Sequence, residues 1–456
     1  MWTMSARAAQ RVDRPRLAVI LVRNIVSHDN RVLREVQTLR RSGFEVLVAG
    51  VVSTAEPARR ARIGEVEVIR LDPLAGLGRL APGGTASGRA RAGRAAAGGA
   101  AAEGAAATGG EPIASPAGRT GPARTRLRRL AMTAGYYAKG VALCWRARPT
   151  LLHANDYNTM WIALAAKLLR GSRVVYDCHE LWADRNGRPE WRRWLLACEA
   201  VFVRAADVTI TASPGYADAI ARRYRVPRPI VVRNIPAPAQ DGFASSAADR
   251  GLSPAPKPSV EPEPEPEAEV LGPPVAVYVG GLMPGRGLEP GIEALALVPG
   301  LRMRLIGPGG AAYRAGLLAL AERCGVSDRL ELVDAVAPGR VVRAIAGARF
   351  GLMLIQPVCL SYELTLPNKL FEYCAAGVPM LAADLPVIGR IVRENGLGEA
   401  VAPDDRNAIA AAMARLLDPE RNRELGGRVR AFAERNTWER ERDVLATVYE
   451  TAIRRP

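Results

Sequence analysis

Residues 364–381 read LTLPNKLFEYCAAGVPML, and the order of residue types in this stretch decides the fold. Pro367 presets the backbone for the first turn of a helix. Leu370, Tyr373 and Cys374 recur at helical spacing and predict a core-facing stripe. Gly377 stops the helix, and VPML then opens an apolar run of strand type. A short helix feeding straight into a buried strand is the repeating unit of an α/β sheet. Into this unit the sequence sets Lys369 and Glu372, three residues apart. On a surface helix such a pair would contribute less than about 1 kcal/mol. At the end of a parallel sheet it has chemical use. The free N–H groups at Asn368 and Lys369 can meet an anion, and a carboxylate can accept hydrogen bonds from a ribose diol.

The same alternation extends in both directions. Towards the N-terminus, RLAVILV (16–22), FEVLVAGV, EVEVIRL, TLLHAND, SRVVYDCHE, DVTITAS and PIVVRN read as strands, with helical patterns between most of them. Asn30 is placed to cap the first helix and Gly43 to end it. Past residue 274 the pattern restarts with VAVYVG, MRLIGPGG, LELVDA, FGLMLIQ and PMLAAD. The prediction is two doubly wound, Rossmann-like α/β domains facing each other across a cleft. Composition supplies the boundaries: a tail over 1–15, a first domain over 16–236, and a second over 275–435 with a closing helix over 436–456. An Ala/Gly-rich insertion (86–125) interrupts the first domain, and a Pro/Glu-rich linker (237–274) precedes the second.

A chain of 456 residues is too long for one ordinary core, and 48% apolar with 24% charged residues describes a globular protein. The net charge of +17, from 63 basic and 46 acidic residues, favours an anionic partner. Nucleic acid fits poorly, because the basic residues are scattered through an α/β pattern and only 5% of residues are aromatic. The six cysteines show no CxxC pair and no metal-ligand rhythm, so reduced thiols and no metal site are expected. No apolar run approaches the roughly 18 residues a span needs, and the N-terminus lacks a secretory h-region. A cytoplasmic protein is expected. Two stretches, 124–148 and WRRW (191–194), are basic with interleaved aromatics. They suggest peripheral contact with an anionic membrane at the inner face of the cell membrane.

Ligands of open α/β sheets bind beyond the carboxyl ends of the strands. There the second half offers a GPGG turn with Gly307 and Gly309, and Arg286 flanked by glycines, a guanidinium suited to a diphosphate.

At this point the motifs carry a resemblance. YVGGL, GRGLEPGIEA, LIGPG, LPNKLFEYCAAGVPMLAAD and the ending TWERE…VYE resemble the donor domain of retaining glycosyltransferases of family 4, of GT-B architecture. DNRVLREVQTLRRSGFEV, LLHANDYNT and VVYDCHEL resemble the family's acceptor domain. The resemblance implies a UDP- or GDP-linked sugar donor, no cofactor and no essential metal. Glu372 matches the glutamate that holds the ribose. The family's first glutamate falls on Leu364, with Glu363 one position away. Arg286 takes the place of the phosphate-binding lysine; its usual partner arginine falls on Gly281, which leaves Lys369 as the replacement cation. The donor set is thus Arg286, Lys369, Glu372, Glu363, Asn368, Gly307 and Gly309. A histidine often stands at Asn155, so the catalytic set is Asn155, His153, Asp156 and His179, with His28, Asp29 and Arg31 on the acceptor side. The implied reaction moves a sugar to an acceptor hydroxyl, with a lipid-linked sugar as the acceptor the basic segments suggest. The rivals are a non-hydrolysing UDP-sugar 2-epimerase and a catalytically silent, basic anion-binding protein.

Overall fold

The computed structural model describes residues 16–24, 26, 29–53, 57–63, 66–73, 122–185, 191–236 and 273–454. The expected tail (1–15), nearly all of the insertion and linker, and His28 lie outside them.

The first sheet has eight strands: β1 (Arg16–Leu21), β2 (Phe44–Val51), β3 (Arg60–Ile63), β4 (Val66–Leu71), β5 (Leu151–Asn155), β6 (Arg173–Cys178), β7 (Val208–Thr211) and β8 (Ile230–Val231). Their order is β3-β4-β2-β1-β5-β6-β7-β8, parallel except for β3 against β4. Ala18 to Leu21 are at most 1% exposed, as a strand covered on both faces requires. On one face lie α2 (Pro122–Ala147), α3 (Asp156–Arg170), α4 (Arg192–Ala205) and α5 (Pro214–Tyr224), sharing a core with Tyr176 and Leu152. On the other lies α1 (Asn30–Arg41), whose Val32, Val36 and Leu39 are fully buried. Its cap is Asp29, not Asn30: the Asp29 carboxylate accepts from the N–H groups of Arg31 and Val32.

The second sheet has β9 (Val275–Val279), β10 (Arg302–Ile306), β11 (Leu330–Val333), β12 (Phe350–Met353), β13 (Met380–Ala383) and β14 (Gly398–Val401), all parallel, in the order β11-β10-β9-β12-β13-β14. The helices that position ligand groups are α6 (Leu288–Leu295), α7 (Ala311–Arg323), α8 (Val341–Ile345), α9 (Leu360–Glu363) and α10 (Asn368–Ala375). After them come α11 (Ile388–Asn395), α12 (Arg406–Leu417), α13 (Pro419–Arg435) and α14 (Trp438–Arg454).

The last helix belongs structurally to the first sheet. Trp438, Leu445, Val448, Tyr449 and Ala452 of α14 share a core with Val36, Leu39, Val175 and Ile210. The chain therefore passes between the domains twice, and both passages meet at Arg233. Glu441 of α14 accepts hydrogen bonds from the Arg233 backbone N–H at 2.6 Å and from its guanidinium at 2.5 and 2.9 Å. Arg34 of α1 grips the carbonyl of Ile235 and the side chain of Asn234 in the same passage.

A seam holds the domains together near the cleft. Ser213 Oγ donates to the carbonyl of Leu364 at 2.6 Å, and the Tyr216 hydroxyl to that of Ser361 at 2.7 Å. Leu364 itself, where the resemblance expects a carboxylate, packs against the first domain's core.

Candidate active site between the two sheet ends

Each sheet reverses its strand order once, between β1 and β5 in the first and between β9 and β12 in the second. Crevices open beyond the carboxyl ends of strands at such points. The charged residues of interest gather there.

In the second domain the centre is Lys369. Asn368, exposed, and Lys369 open α10, with Pro367 as the cap residue, while Leu370, Phe371, Tyr373 and Cys374 are buried. Lys369 is buried too, its Nζ 3.7 Å above the Tyr278 ring at the end of β9 and without a hydrogen-bond partner among the described residues. Burial, with Arg286 adding to it, holds this amine well below the ordinary lysine range. Arg286 lies over the Tyr362 ring at 4.7 Å and touches Met283 Sδ; among the described residues it has no carboxylate partner. Two basic side chains, neither hydrogen-bonded to a carboxylate among the described residues, make a site for an anion. Glu372 is half-buried one turn on. Burial raises its carboxyl from the usual range, while Lys369 and, from the other domain, Arg34 oppose the rise. Glu363 ends α9, half-buried.

The glycine turns beside these cations bring backbone close. Gly307 has φ +151°, and a Cβ there would sit 1.9 Å from the carbonyl oxygen of Gly280. Gly309 bridges Leu282, so the turns after β9 and β10 run side by side. Behind them the first turn of α7 has no side-chain cap, which leaves its N–H groups free for an anion. Gly307→Ala should cost about 2 kcal/mol or more through strain and displacement. A melting temperature within a degree of wild type would contradict that.

In the first domain the structure places the sequence candidates in two layers. Asp156 and His179 are partly exposed, with His179 Nδ1 3.7 Å from Asp156 Oδ1. Asp156 opens α3 with φ +65°, an uncommon conformation for a non-glycine residue that costs energy to hold. Beneath them lies a dry network. Arg31 donates to Asp177 Oδ2 at 2.5 and 2.8 Å and lies 3.3 Å from Glu35. His179 Nε2 is 3.0 Å from Asp177 Oδ2, and Asn155 donates to Glu35 at 3.0 Å. His153 is fully buried, its Nδ1 3.0 Å from the Tyr449 hydroxyl of α14 and its Nε2 3.5 Å from both Glu35 and Asp177. Of the expected catalytic set, His153 and Asn155 are thus buried beneath the partly exposed Asp156 and His179. Arg31 and Asp29, expected to face an acceptor, serve as network cation and helix cap.

Burial disfavours the charged form of His179, but Asp177 and Asp156 together outweigh it and raise the imidazole to about 9. Asp177, buried yet set between Arg31 and His179, is held well below the usual carboxylate range. The site therefore carries a fixed imidazolium at neutral pH. Because the folded pKa of His179 is raised, its stabilisation is full below pH 6.5 and disappears as pH climbs through about 9. Melting temperatures of wild type and His179→Gln should accordingly differ most at pH 6 and converge above pH 9. A constant difference would contradict the assignment.

Glu35, His153 and Asp177 place one ligand atom each within 4.8 Å of one another, a spacing a metal ion could use. The Arg31 guanidinium already sits against both carboxylates and supplies the positive charge there.

Four groups escaped the sequence reading: Tyr278 beneath Lys369, and Glu35, Asp177 and Tyr449 in the network. Asp177 stood in the quoted SRVVYDCHE strand. Glu35 and Tyr449 lie on amphipathic helices where nothing local distinguishes them.

The two facing sheets form the GT-B architecture of glycosyltransferases. A family model described as Glycosyltransferase Family 4 matches residues 29–234, and one described as Glycosyl transferases group 1 matches residues 273–419. The D-inositol 3-phosphate glycosyltransferases of Segniliparus rotundus and Nocardia farcinica are 30% identical over 189 residues and 28% over 192. Each match covers 40% of this chain, and 40% and 41% of those proteins, so the chain spans about two fifths of the relatives' length. Among solved structures, sucrose-phosphate synthase from Thermosynechococcus elongatus superposes with a TM-score of 0.67 at 16% identity, over 95% of this chain and 98% of that one. Anabaena HepE in complex with UDP-glucose does so with a TM-score of 0.62 at 14% identity, over 96% and 100%.

Proposed function

We propose that the protein is a retaining glycosyltransferase that moves a hexosyl or N-acetylhexosaminyl group from a UDP- or GDP-sugar to an acceptor hydroxyl. The observation that carries this reading is the pair of unmatched cations, Lys369 and Arg286, at the strand-order reversal of the second sheet. They would hold the diphosphate, with Gly307, Gly309 and the first turn of α7 supplying N–H groups and Glu372 accepting from the ribose. In front-face transfer the bond from the sugar to the phosphate oxygen breaks as the acceptor oxygen bonds to the same carbon. The departing phosphate oxygen takes the acceptor's proton. The protein's task is then to stabilise negative charge on the leaving diphosphate in a closed, dry cleft. Asp156 and the His179 imidazolium would line the opposite wall and orient the sugar and acceptor hydroxyls. No metal is assigned a part, because the two cations perform the electrostatic work. The acceptor is proposed to be lipid-linked, in cell-envelope polysaccharide or glycolipid synthesis, on the strength of the basic helices of the first domain.

Release of UDP or GDP from a panel of nucleotide-sugars, with and without EDTA, tests the reading. Turnover with one donor, unchanged by EDTA, is expected. A C2 epimer formed from a UDP-sugar alone would mark an epimerase instead. Nucleotide binding without turnover on any donor and acceptor would mark a silent protein.

A further inference from the structure

The helical layer α2–α3–α4 carries a surface unlike the rest of the described molecule. Leu168 is 86% exposed, Trp191 69% and Trp194 53%, with Trp145 and Trp161 also exposed. Large aromatic and aliphatic side chains left in water in one region mark a contact surface. These are neighbours. The Trp161 and Trp194 rings stack with centroids 6.0 Å apart, joining α3 to α4. The Arg170 guanidinium lies 3.2 Å over the Trp145 ring, joining α3 to α2. Leu168 follows Trp161, and Val201 follows Trp194, by seven residues on their helices, so each pair shares a face. The strip runs along the helices from near the cleft end of the sheet to its opposite end.

Its charge is one-sided. Among the described side chains of these three helices the only carboxylates are Glu199, fully buried, and Asp156, which opens α3 at the cleft. Arg146 and Arg193 are exposed without a carboxylate partner among the described residues, and the apolar strip lies between them. Tryptophans flanked by arginines, with Asp156 at the cleft end as the one partly exposed acid among the described side chains of these helices, fit the headgroup level of an anionic bilayer.

We propose that this face, centred on the stacked Trp161–Trp194 pair, docks the protein on anionic lipid with the axes of α3 and α4 along the membrane plane. The face keeps part of what the sequence suggested, Trp145 from 124–148 and Trp191 and Trp194 from WRRW, drops the buried Tyr136, and adds Trp161 and Leu168, unremarkable in sequence. The proposal extends the transferase reading by naming a partner. It stands on helices apart from Lys369 and Arg286, so either can fail alone.

The test is co-sedimentation of the full chain with phosphatidylcholine vesicles and with mixed phosphatidylcholine–phosphatidylglycerol vesicles, wild type against Leu168→Asp, Trp191→Ser and Arg193→Glu. These side chains are exposed, so melting temperatures should match wild type, and UDP-induced thermal shifts should be kept. Wild type is expected to bind the mixed vesicles alone, to release in high salt, and to lose about tenfold in binding on each substitution. Tryptophan fluorescence should be quenched by brominated acyl chains. Absence of binding, equal binding to both vesicle types, or variants that bind like wild type would overturn the proposal. So would a dimer in sedimentation velocity that Leu168→Asp abolishes, which would assign the face to a second copy of the chain.

Discussion

Lys369→Met is expected to raise the melting temperature and at the same time abolish nucleotide binding. The amine is buried over Tyr278 with no partner, and burial, then Arg286, lowers its pKa well below 10.5. The unfolded chain therefore binds a proton at neutral pH that the folded site resists. A group depressed in this way costs stability, and the cost grows as pH falls below 10.5. Methionine fills the same space without the charge, so stability should rise by roughly 1 kcal/mol or more at pH 7. An arriving diphosphate supplies the missing counter-ion, so donor binding should take up a proton and strengthen as pH falls from 9 to 7. Arg286→Ala removes the other cation, and kcat/KM should drop about 10²–10³-fold, the usual loss when one charge-stabilising donor is removed. Calorimetry with UDP and GDP in buffers of different ionisation enthalpy would detect the proton. A destabilised Lys369→Met variant that still binds nucleotide would refute the argument.

The second large effect is expected at Asp177. Its fully buried carboxylate is, among the described residues, the one acid within 3 Å of both Arg31 and His179. Asp177→Asn keeps the shape and leaves a buried guanidinium facing an imidazole. Removing one member of such a set costs about 3–5 kcal/mol. His179 should then titrate far below about 9, because the carboxylate that raises it is gone. Arg31→Met combined with Asp177→Leu should cost less than the sum of the two single losses, although Glu35 then keeps only Asn155 and His153 beside it. Additive losses in chemical denaturation would show that the groups are not coupled.

Much of this architecture was legible in the sequence because parallel strands buried on both faces appear as continuous apolar runs. Every run quoted above contains an observed strand. The two missed strands are edges: β3 (RARI) alternates charge with apolar residues, and β14 (GEAV) carries a glycine and a glutamate. Local grammar likewise gave α10, down to the buried Leu370, Tyr373 and Cys374. What escaped was pairing across long sequence distances. Nothing near Glu441 announces Arg233, and nothing near Tyr449 announces His153. The charge of Lys369 suggested a partnership with Glu372, whereas the fold packs its amine on Tyr278. His153 and Asn155 entered the catalytic set through the family resemblance. Their side chains are instead turned under the floor, where they brace Glu35 and Tyr449.

A crystal soaked with UDP or GDP tests the centre of the account most directly. The diphosphate should lie within hydrogen-bond distance of both Lys369 Nζ and the Arg286 guanidinium, beside the turn at Gly307. A nucleotide seated elsewhere, with that amine still resting unaccompanied on the Tyr278 ring, would contradict it.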